Sequence, residues 1–239
     1  MEGGDDVVLV HSSDLHVEDE TATGAYRGGL AGLRDVLATA QSLMADVVLL
    51  AGDTFDNPRV STATLQRASA LLGAAGMPVI LLPGNHDPAM PDDVFSRGGM
   101  IGLPDVHVLG ITDADAVLFD RYSLEIWGHA HRDFTDMSPM RSPRARSTRW
   151  QVVMAHGHYV PPDEWRMHAH RAWKITDQEL AASAADYVAL GHWDRAVQVG
   201  DGSVPAYYSG SPDLAGTVNV VRLSARSGVT VTRETLKRV

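Results

Sequence analysis

The chain of 239 residues contains no cysteine, 20 Lys and Arg against 30 Asp and Glu, and 11 His, which gives a formal charge of −10 with neutral histidine. A disulfide scaffold and a thiolate metal site are therefore impossible, and an acidic chain gains no general electrostatic help with a polyanion, so nucleic-acid contact would need a local basic patch. No apolar stretch approaches the ~20 residues that span a bilayer, and the acidic start Met1-Glu2-Gly3-Gly4-Asp5-Asp6 lacks the basic flank of a secretory signal, so the expected location is cytoplasmic.

Asp6 to His11 is a valine-rich run bounded by Ser12-Ser13-Asp14, the pattern of a buried strand. Leu30, Leu33, Val36, Leu37, Ala40, Leu43 and Met44 recur at helical spacing, and a second strand covers Asp46 to Ala51. Ser61 caps a helix that aligns Leu65, Ala68, Leu71, Leu72 and Ala75, and Val79 to Leu82 forms a third strand. The β-α-β-α-β order with continuous apolar strands predicts a parallel sheet covered on both faces, with ligands beyond the carboxyl ends of its strands. After residue 100 the runs shorten: Val106 to Leu109, Ala116 to Phe119, Leu124 to Trp127 and Trp150 to Ala155. A helix over Asp177 to Ala185 and a strand over Tyr187 to Leu190 follow. Strand-like runs at Ala196 to Val199, Ala206 to Ser209, Thr217 to Leu223 and Val229 to Glu234 close the chain, mostly as hairpins, with a turn at Gly200-Asp201-Gly202. With 44% hydrophobic residues and no repeat or linker, the chain is expected to be one α/β domain over 1–239, with two packed sheets and outer helices.

The polar residues concentrate at the strand ends. Asp14-Leu15-His16 follows the first strand, Gly52-Asp53-Thr54-Phe55-Asp56 the second and Gly84-Asn85-His86-Asp87 the third. Farther on, Ala155-His156-Gly157 and Gly191-His192-Trp193-Asp194 end two more. Carboxylates, imidazoles and an amide oxygen suit Mn²⁺, Fe²⁺ or Zn²⁺, and an Asp between two clusters can bridge a metal pair. Each fragment alone is common, and a lone histidine at a strand end is usually structural. Five in order, each directly after an apolar run, point to a metal site.

In this order the fragments resemble the calcineurin-like metallophosphoesterase superfamily: Asp-x-His, Gly-Asp-x-x-Asp, Gly-Asn-His-Asp, a lone His, then Gly-His. The wording of Asp14-Leu15-His16, of the Asp53 to Asp56 element and of Tyr187-Val188-Ala189-Leu190-Gly191-His192 is most similar to the Mre11/SbcD-type DNA repair nucleases. The resemblance implies a four-layer α/β/β/α sandwich with two divalent ions, manganese first and iron or zinc as alternatives. It implies Asp14 and His16 on the first metal, Asp53 as bridge, Asn85, His156 and His192 on the second, and His86 facing the substrate as catalytic residue. It also implies a phosphodiester substrate, DNA included, and an ATPase partner, although nucleases of that branch usually carry a further C-terminal region, and this chain is expected to lack it.

Two features depart from the pattern. Asp194 stands where the family has a second histidine, and a carboxylate there is expected to ligate the first metal, with a shortfall at that site as the alternative. Gly128-His129-Ala130-His131 copies the family's last motif but precedes His156, so it is expected to be a loop at the mouth of the site, with His129 and His131 as substrate contacts. Arg141, Arg144, Arg146 and Arg149 form a basic cluster. Trp165, Arg166, His168, His170, Arg171, Trp173 and Lys174 interleave aromatics with cations. Arg141 and Arg144 are the candidate phosphate contacts; for the arginines alone, a solvated loop is the plainer reading.

The expected chemistry is attack on the phosphorus by water activated between two cations, with His86 stabilising the transition state or protonating the leaving oxygen. Three readings stay open: a DNA exonuclease; a phosphodiesterase or phosphatase for a nucleotide, cyclic nucleotide or phospholipid head group; and a non-catalytic scaffold with a degraded site.

Overall fold

The computed structural model describes residues 6–20, 28–164 and 172–239. Its elements, in chain order, are β1 Val7–Ser12, α1 Ala31–Ser42, β2 Val47–Leu50, α2 Thr62–Gly73, β3 Val79–Leu81, α3 Val94–Arg97, β4 Val106–Val108, β5 Ala116–Phe119, β6 Leu124–Gly128 and β7 Trp150–His156. The short pair β8 His158–Tyr159 and β9 Lys174–Ile175 follows, then α4 Asp177–Ser183, β10 Tyr187–Gly191, β11 Val197–Val199, β12 Ala206–Tyr208, β13 Thr217–Ser224 and β14 Gly228–Thr235.

Two six-stranded sheets result, ordered β14-β13-β1-β2-β3-β4 and β11-β12-β10-β7-β6-β5. In the first, β1 to β4 are parallel and the C-terminal hairpin β13–β14 adds antiparallel to β1. In the second, β6, β7, β10 and β12 are parallel, with β5 and β11 antiparallel at the edges. The hairpins expected at the C-terminus are thus partly borne out. The β11–β12 and β13–β14 pairs are hairpins, whereas β12 runs parallel to β10 and β13 returns to the first strand of the chain.

Strand alternation explains the layers, because successive side chains point to opposite faces. Val8, Val10, Val48, Leu50, Val79 and Leu81 join Leu33, Val36, Leu65 and Leu72 in the core beneath α1 and α2. Their neighbours Leu9, Val47, Leu49 and Ile80 turn inward to meet Ile126, Val152, Met154 and Ala189 between the sheets. On the far side, Trp127, Val153, Ala155, Val188 and Leu190 pack with Leu180 of α4. Helix, sheet, sheet, helix is the four-layer arrangement expected, and burial on both faces is why the strands are continuously apolar.

Local caps match the sequence. The Ser61 side chain accepts from the Thr64 amide at the start of α2, and Thr176 forms a capping box with Glu179 at the start of α4. α3 was not expected: at four residues it shows no periodicity, and it begins where the Asp93 carboxylate accepts from the Ser96 amide.

Candidate metal centre

The carboxyl ends of β1, β2 and β3 in one sheet and of β7 and β10 in the other meet at one pole. Pairing continues past the strands there: the amides of Asp14, His16 and Val17 donate to the carbonyls of Gly52, Asp53 and Thr54, at 3.0, 3.1 and 2.8 Å. The first two polar loops are therefore laced together. Two glycines permit the close approach of the rest. A Cβ on Gly52 would stand 2.0 Å from His156 Nδ1, and one on Gly84 would stand 2.2 Å from Asp53 Oδ1.

Four residues at this pole hold positive φ although none is glycine: Asp14 at 53°, His16 at 46°, Asp53 at 51° and His192 at 107°. Such backbone costs about 1–3 kcal/mol per residue and persists where the surroundings over-determine it, typically at functional sites. Here the fixing contacts are visible. The His192 amide donates to both Asp14 carboxylate oxygens, at 3.1 and 2.9 Å, and the His86 amide donates to Asp53 Oδ1 at 2.9 Å.

The side chains converge. Ligand atoms of Asp14, His16 and Asp53 lie within 4.8 Å of one another, as do those of Asp53, His156 and His192, and those of His16, Asp56 and His86. Asp53 belongs to two of these groups, the position a bridging carboxylate needs. Asn85 Oδ1 sits 3.1 Å from His156 Nε2 and 3.2 Å from His192 Nδ1, and His156 Nε2 is 3.1 Å from Asp53 Oδ2. His156 Nδ1 donates to the Ala51 carbonyl at 2.9 Å, which aims Nε2 at the cluster. The set of hard carboxylate and amide oxygens with borderline imidazoles fits divalent cations.

The electrostatics describe a site built for added positive charge. Burial pushes the Asp14 carboxyl up, with His156 opposing and Asp53 adding to the rise. Burial would also raise Asp53, but the imidazole of His156 beside it holds it below the ordinary carboxylate range. Burial alone would lower His156; the Asp53 carboxylate reverses this and lifts it to about 9. Burial, reinforced by His156, drops His192 to about 3 and keeps it neutral. A proton on His156 thus sits among the carboxylates, in competition with a cation.

His86 is exposed at the edge of the cluster. Its Nδ1 donates to the Asp56 carbonyl at 2.6 Å, and its ring meets His16 edge-on at 4.8 Å. Two residues that stand in the motifs, and to which the sequence alone assigned no role, are also in place. Asp56 Oδ1 lies 3.2 Å from His16 Nδ1. Asp87 is buried and accepts from the amides of Phe55 and Gly84 at 3.0 and 2.7 Å, so it ties the second loop to the third, and burial together with Asp53 raises it to about 7.

Other candidate residues lie elsewhere. Asp194 is exposed, lines a surface hollow with Arg195, Leu214 and Arg233, and is in none of the three clusters; its carbonyl accepts from the Ser211 amide at 3.2 Å. His129 and His131 are buried rather than at the mouth of the site. His129 Nδ1 lies 3.4 Å from Asp115, and His131 Nε2 donates to the His156 carbonyl at 2.9 Å. Arg144 pairs at 3.0 Å with the buried Glu125, Arg146 bonds Asp186 at 2.7 Å, and the Arg149 guanidinium lies over the Trp150 ring. Arg141 lines a hollow of about 640 Å³ with Met140, Lys174 and Glu179. Trp165, Arg166, His168, His170 and Arg171 lie outside the described residues.

The model of the calcineurin-like phosphoesterase family matches residues 7–195, which contain every strand end of this pole. The chain belongs to that family. Members of the family are generally metal-dependent phosphoesterases, which accords with the donor set. The chain is 24% identical over 249 residues to a subunit of the nuclease SbcCD of Bacillus subtilis, matching 85% of this chain and 61% of that protein. It is 34% identical over 99 residues to the DNA double-strand break repair protein Mre11 of Aeropyrum pernix, matching 36% of this chain and 23% of that one. It therefore spans less than two thirds of either relative's length. Among solved structures, TT1561 of Thermus thermophilus superposes with a TM-score of 0.60 at 11% identity, covering 96% of this chain and 98% of that one, a likeness of fold alone. Among the described residues, no helix is long and apolar enough to cross a membrane.

Proposed function

We propose that the chain hydrolyses phosphodiester bonds with two divalent cations, manganese foremost and iron or zinc as alternatives, held by Asp14, His16 and Asp53 on one side and by Asp53, Asn85, His156 and His192 on the other. The observation that carries this reading is the Asp53 carboxylate shared between two ligand-spaced groups at a strand-end pole. The cations would supply Lewis acidity toward the phosphoryl oxygens and make water nucleophilic at neutral pH.

The chain's own residues do the rest. His156, fixed through the Ala51 carbonyl, presents Nε2, and Asp14 is oriented by the His192 amide. His86 has its Nδ1–H committed to the Asp56 carbonyl, so Nε2 is its outward nitrogen. As an imidazolium it can donate there to a phosphoryl oxygen and hand the proton to the departing alkoxide. No side chain needs to act as nucleophile.

A DNA strand end is the favoured substrate because the two curated relatives are named as a nuclease subunit and a break-repair protein. A partner subunit, the ATPase that the resemblance implies, belongs to the same expectation. A second reading, a nucleotide-sized substrate, is favoured by a specific observation: Arg144 and Arg146 are committed to Glu125 and Asp186, so the basic cluster offers a duplex little. Assays of bis-p-nitrophenyl phosphate, p-nitrophenyl phosphate and linear single- and double-stranded DNA with added Mn²⁺ separate these. Hydrolysis of the diester and of DNA ends supports the first reading. Diester hydrolysis without DNA cleavage supports the second, and inactivity on all of them with metal bound would return the scaffold reading.

A further inference from the structure

The Gly128-His129-Ala130-His131 segment leaves a question: what does a copy of the terminal motif do when its histidines point away from the cluster? Its backbone supplies the answer. The His131 amide donates to the Pro83 carbonyl at 3.1 Å, and the His131 carbonyl accepts from the Ala89 amide at 2.7 Å. The segment is thus stitched alongside the loop that carries Asn85 and His86, with His131 buried behind His156. The chain then emerges at Phe134, a large apolar side chain left 61% exposed. The loop is held from below, because Trp173 Nε1 donates to the Thr135 carbonyl at 3.0 Å and the Trp173 amide to Asp136 Oδ1 at 2.6 Å.

Phe134 closes one side of a hollow of about 180 Å³ whose other walls are Pro58, Pro88, Met90, Pro91 and Val94. Pro58 lies two residues past Asp56, and Asp87 and Pro88 directly follow His86, so the walls of the hollow belong to the same two loops that carry Asp56 and His86. The lining residues include Asp87, Asp92 and Asp93 and no Lys or Arg. A phosphate would be repelled there. A neutral, flat ring would bury its faces against proline, methionine and phenylalanine, and aromatic stacking on a base tolerates any sequence.

We propose that this hollow is the subsite for one nucleobase of the substrate, the base of the nucleotide whose phosphoester is cut beside His86. This rests on the phosphoesterase reading and sharpens it. The enzyme takes a single terminal or free nucleotide unit, with Phe134 as the stacking residue.

The test is calorimetric, on the Mn²⁺-loaded full chain, with two non-cleavable probes. One is the phosphonate analogue of adenosine 5′-monophosphate with methylene for the ester oxygen; the other is the same ribose phosphonate without the base. The wild type should bind the base-bearing probe about 10-fold more tightly or better, Phe134→Ala should reduce that ratio to near one without weakening the base-free probe, and Phe134→Trp should keep it. Because Phe134 is exposed, its removal leaves the packed core intact, and an unchanged manganese count verifies this. Equal affinities in the wild type, or a ratio unaffected by Phe134→Ala, would overturn the subsite. Failure of the wild type to hydrolyse any phosphodiester would instead overturn the underlying function, so the two failures are distinguishable.

Discussion

Two Gly-His sequences flank β7, Gly128-His129 at the end of β6 and Gly191-His192 at the end of β10, and only the second has its histidine in a ligand-spaced group. Both follow parallel strands of the same sheet. The difference lies in what each strand end faces across the sandwich. A Cβ on Gly191 would meet the Ala51 carbonyl at 1.9 Å and Ser13 at 2.9 Å, so β10 ends against the loops that carry Asp14 and Asp53. A Cβ on Gly128 would meet Leu82 at 3.2 Å and the Met154 carbonyl at 2.3 Å, so β6 ends across from β3 and beside β7. Motif wording is therefore secondary to strand order: the neighbour of β7 that faces β1 and β2 places its histidine in a ligand-spaced group, and the other places its histidines outside all three.

The largest effect should separate the two motifs outright. His192→Ala should lower metal affinity and diester turnover by at least about 100-fold, the upper range for losing even an indirect contact to a bound metal, whereas His129→Ala should retain both ions by elemental analysis. Retention of metal in His192→Ala, with loss in His129→Ala, would reverse the assignment of the two strands.

His131 offers the next contrast. Burial, with His156 nearby, lowers it to about 4, so it is neutral and supports the His156 carbonyl through Nε2. His131→Ala should cost about 1–3 kcal/mol of stability in denaturant melts while saturating Mn²⁺ still gives the wild-type metal count.

His156 lies between the two motifs and sets a pH dependence. In the metal-free protein its pKa is raised to about 9 by Asp53, so its contribution to stability is full below about 6.5 and is lost as pH rises through 9. A cation held by Nε2 would displace the same proton, so Mn²⁺ affinity should climb over that interval. Denaturation of metal-free wild type and His156→Asn should show a stability gap that narrows from about pH 6.5 to about 9.5; a gap that widens would mean that the imidazole is neutral.

The smallest effect belongs to Asp194. Exposed and outside the three clusters, it should be replaceable by Ala without change in metal count. Loss of one ion would mean that it swings in as a ligand.

Much of the fold was legible because strands buried on both faces write themselves as Val-Ile-Leu runs; β1, β2, β3, β7 and β10 all appear within a residue or so of their expected bounds. The polar strand ends were equally plain. What the sequence hid was long-range geometry. The pairing of β13 with β1 joins residues some two hundred positions apart, and nothing local records it. Asp56 and Asp87 stood in the motifs, yet their contacts to His16, Phe55 and Gly84 exist only once three loops meet. The partners of the arginine cluster were hidden for the same reason, since Glu125 and Asp186, which engage Arg144 and Arg146, lie 19 and 40 residues away.

The proposed function stands or falls on Asp53, the carboxylate shared between two ligand-spaced groups. Elemental analysis of the wild type and of Asp53→Asn after Mn²⁺ loading and desalting, paired with bis-p-nitrophenyl phosphate turnover, tests it directly. Two bound ions and diester hydrolysis are expected in the wild type, with loss of both bound metal and turnover in the variant. Equal metal content and equal turnover in the two proteins would contradict it.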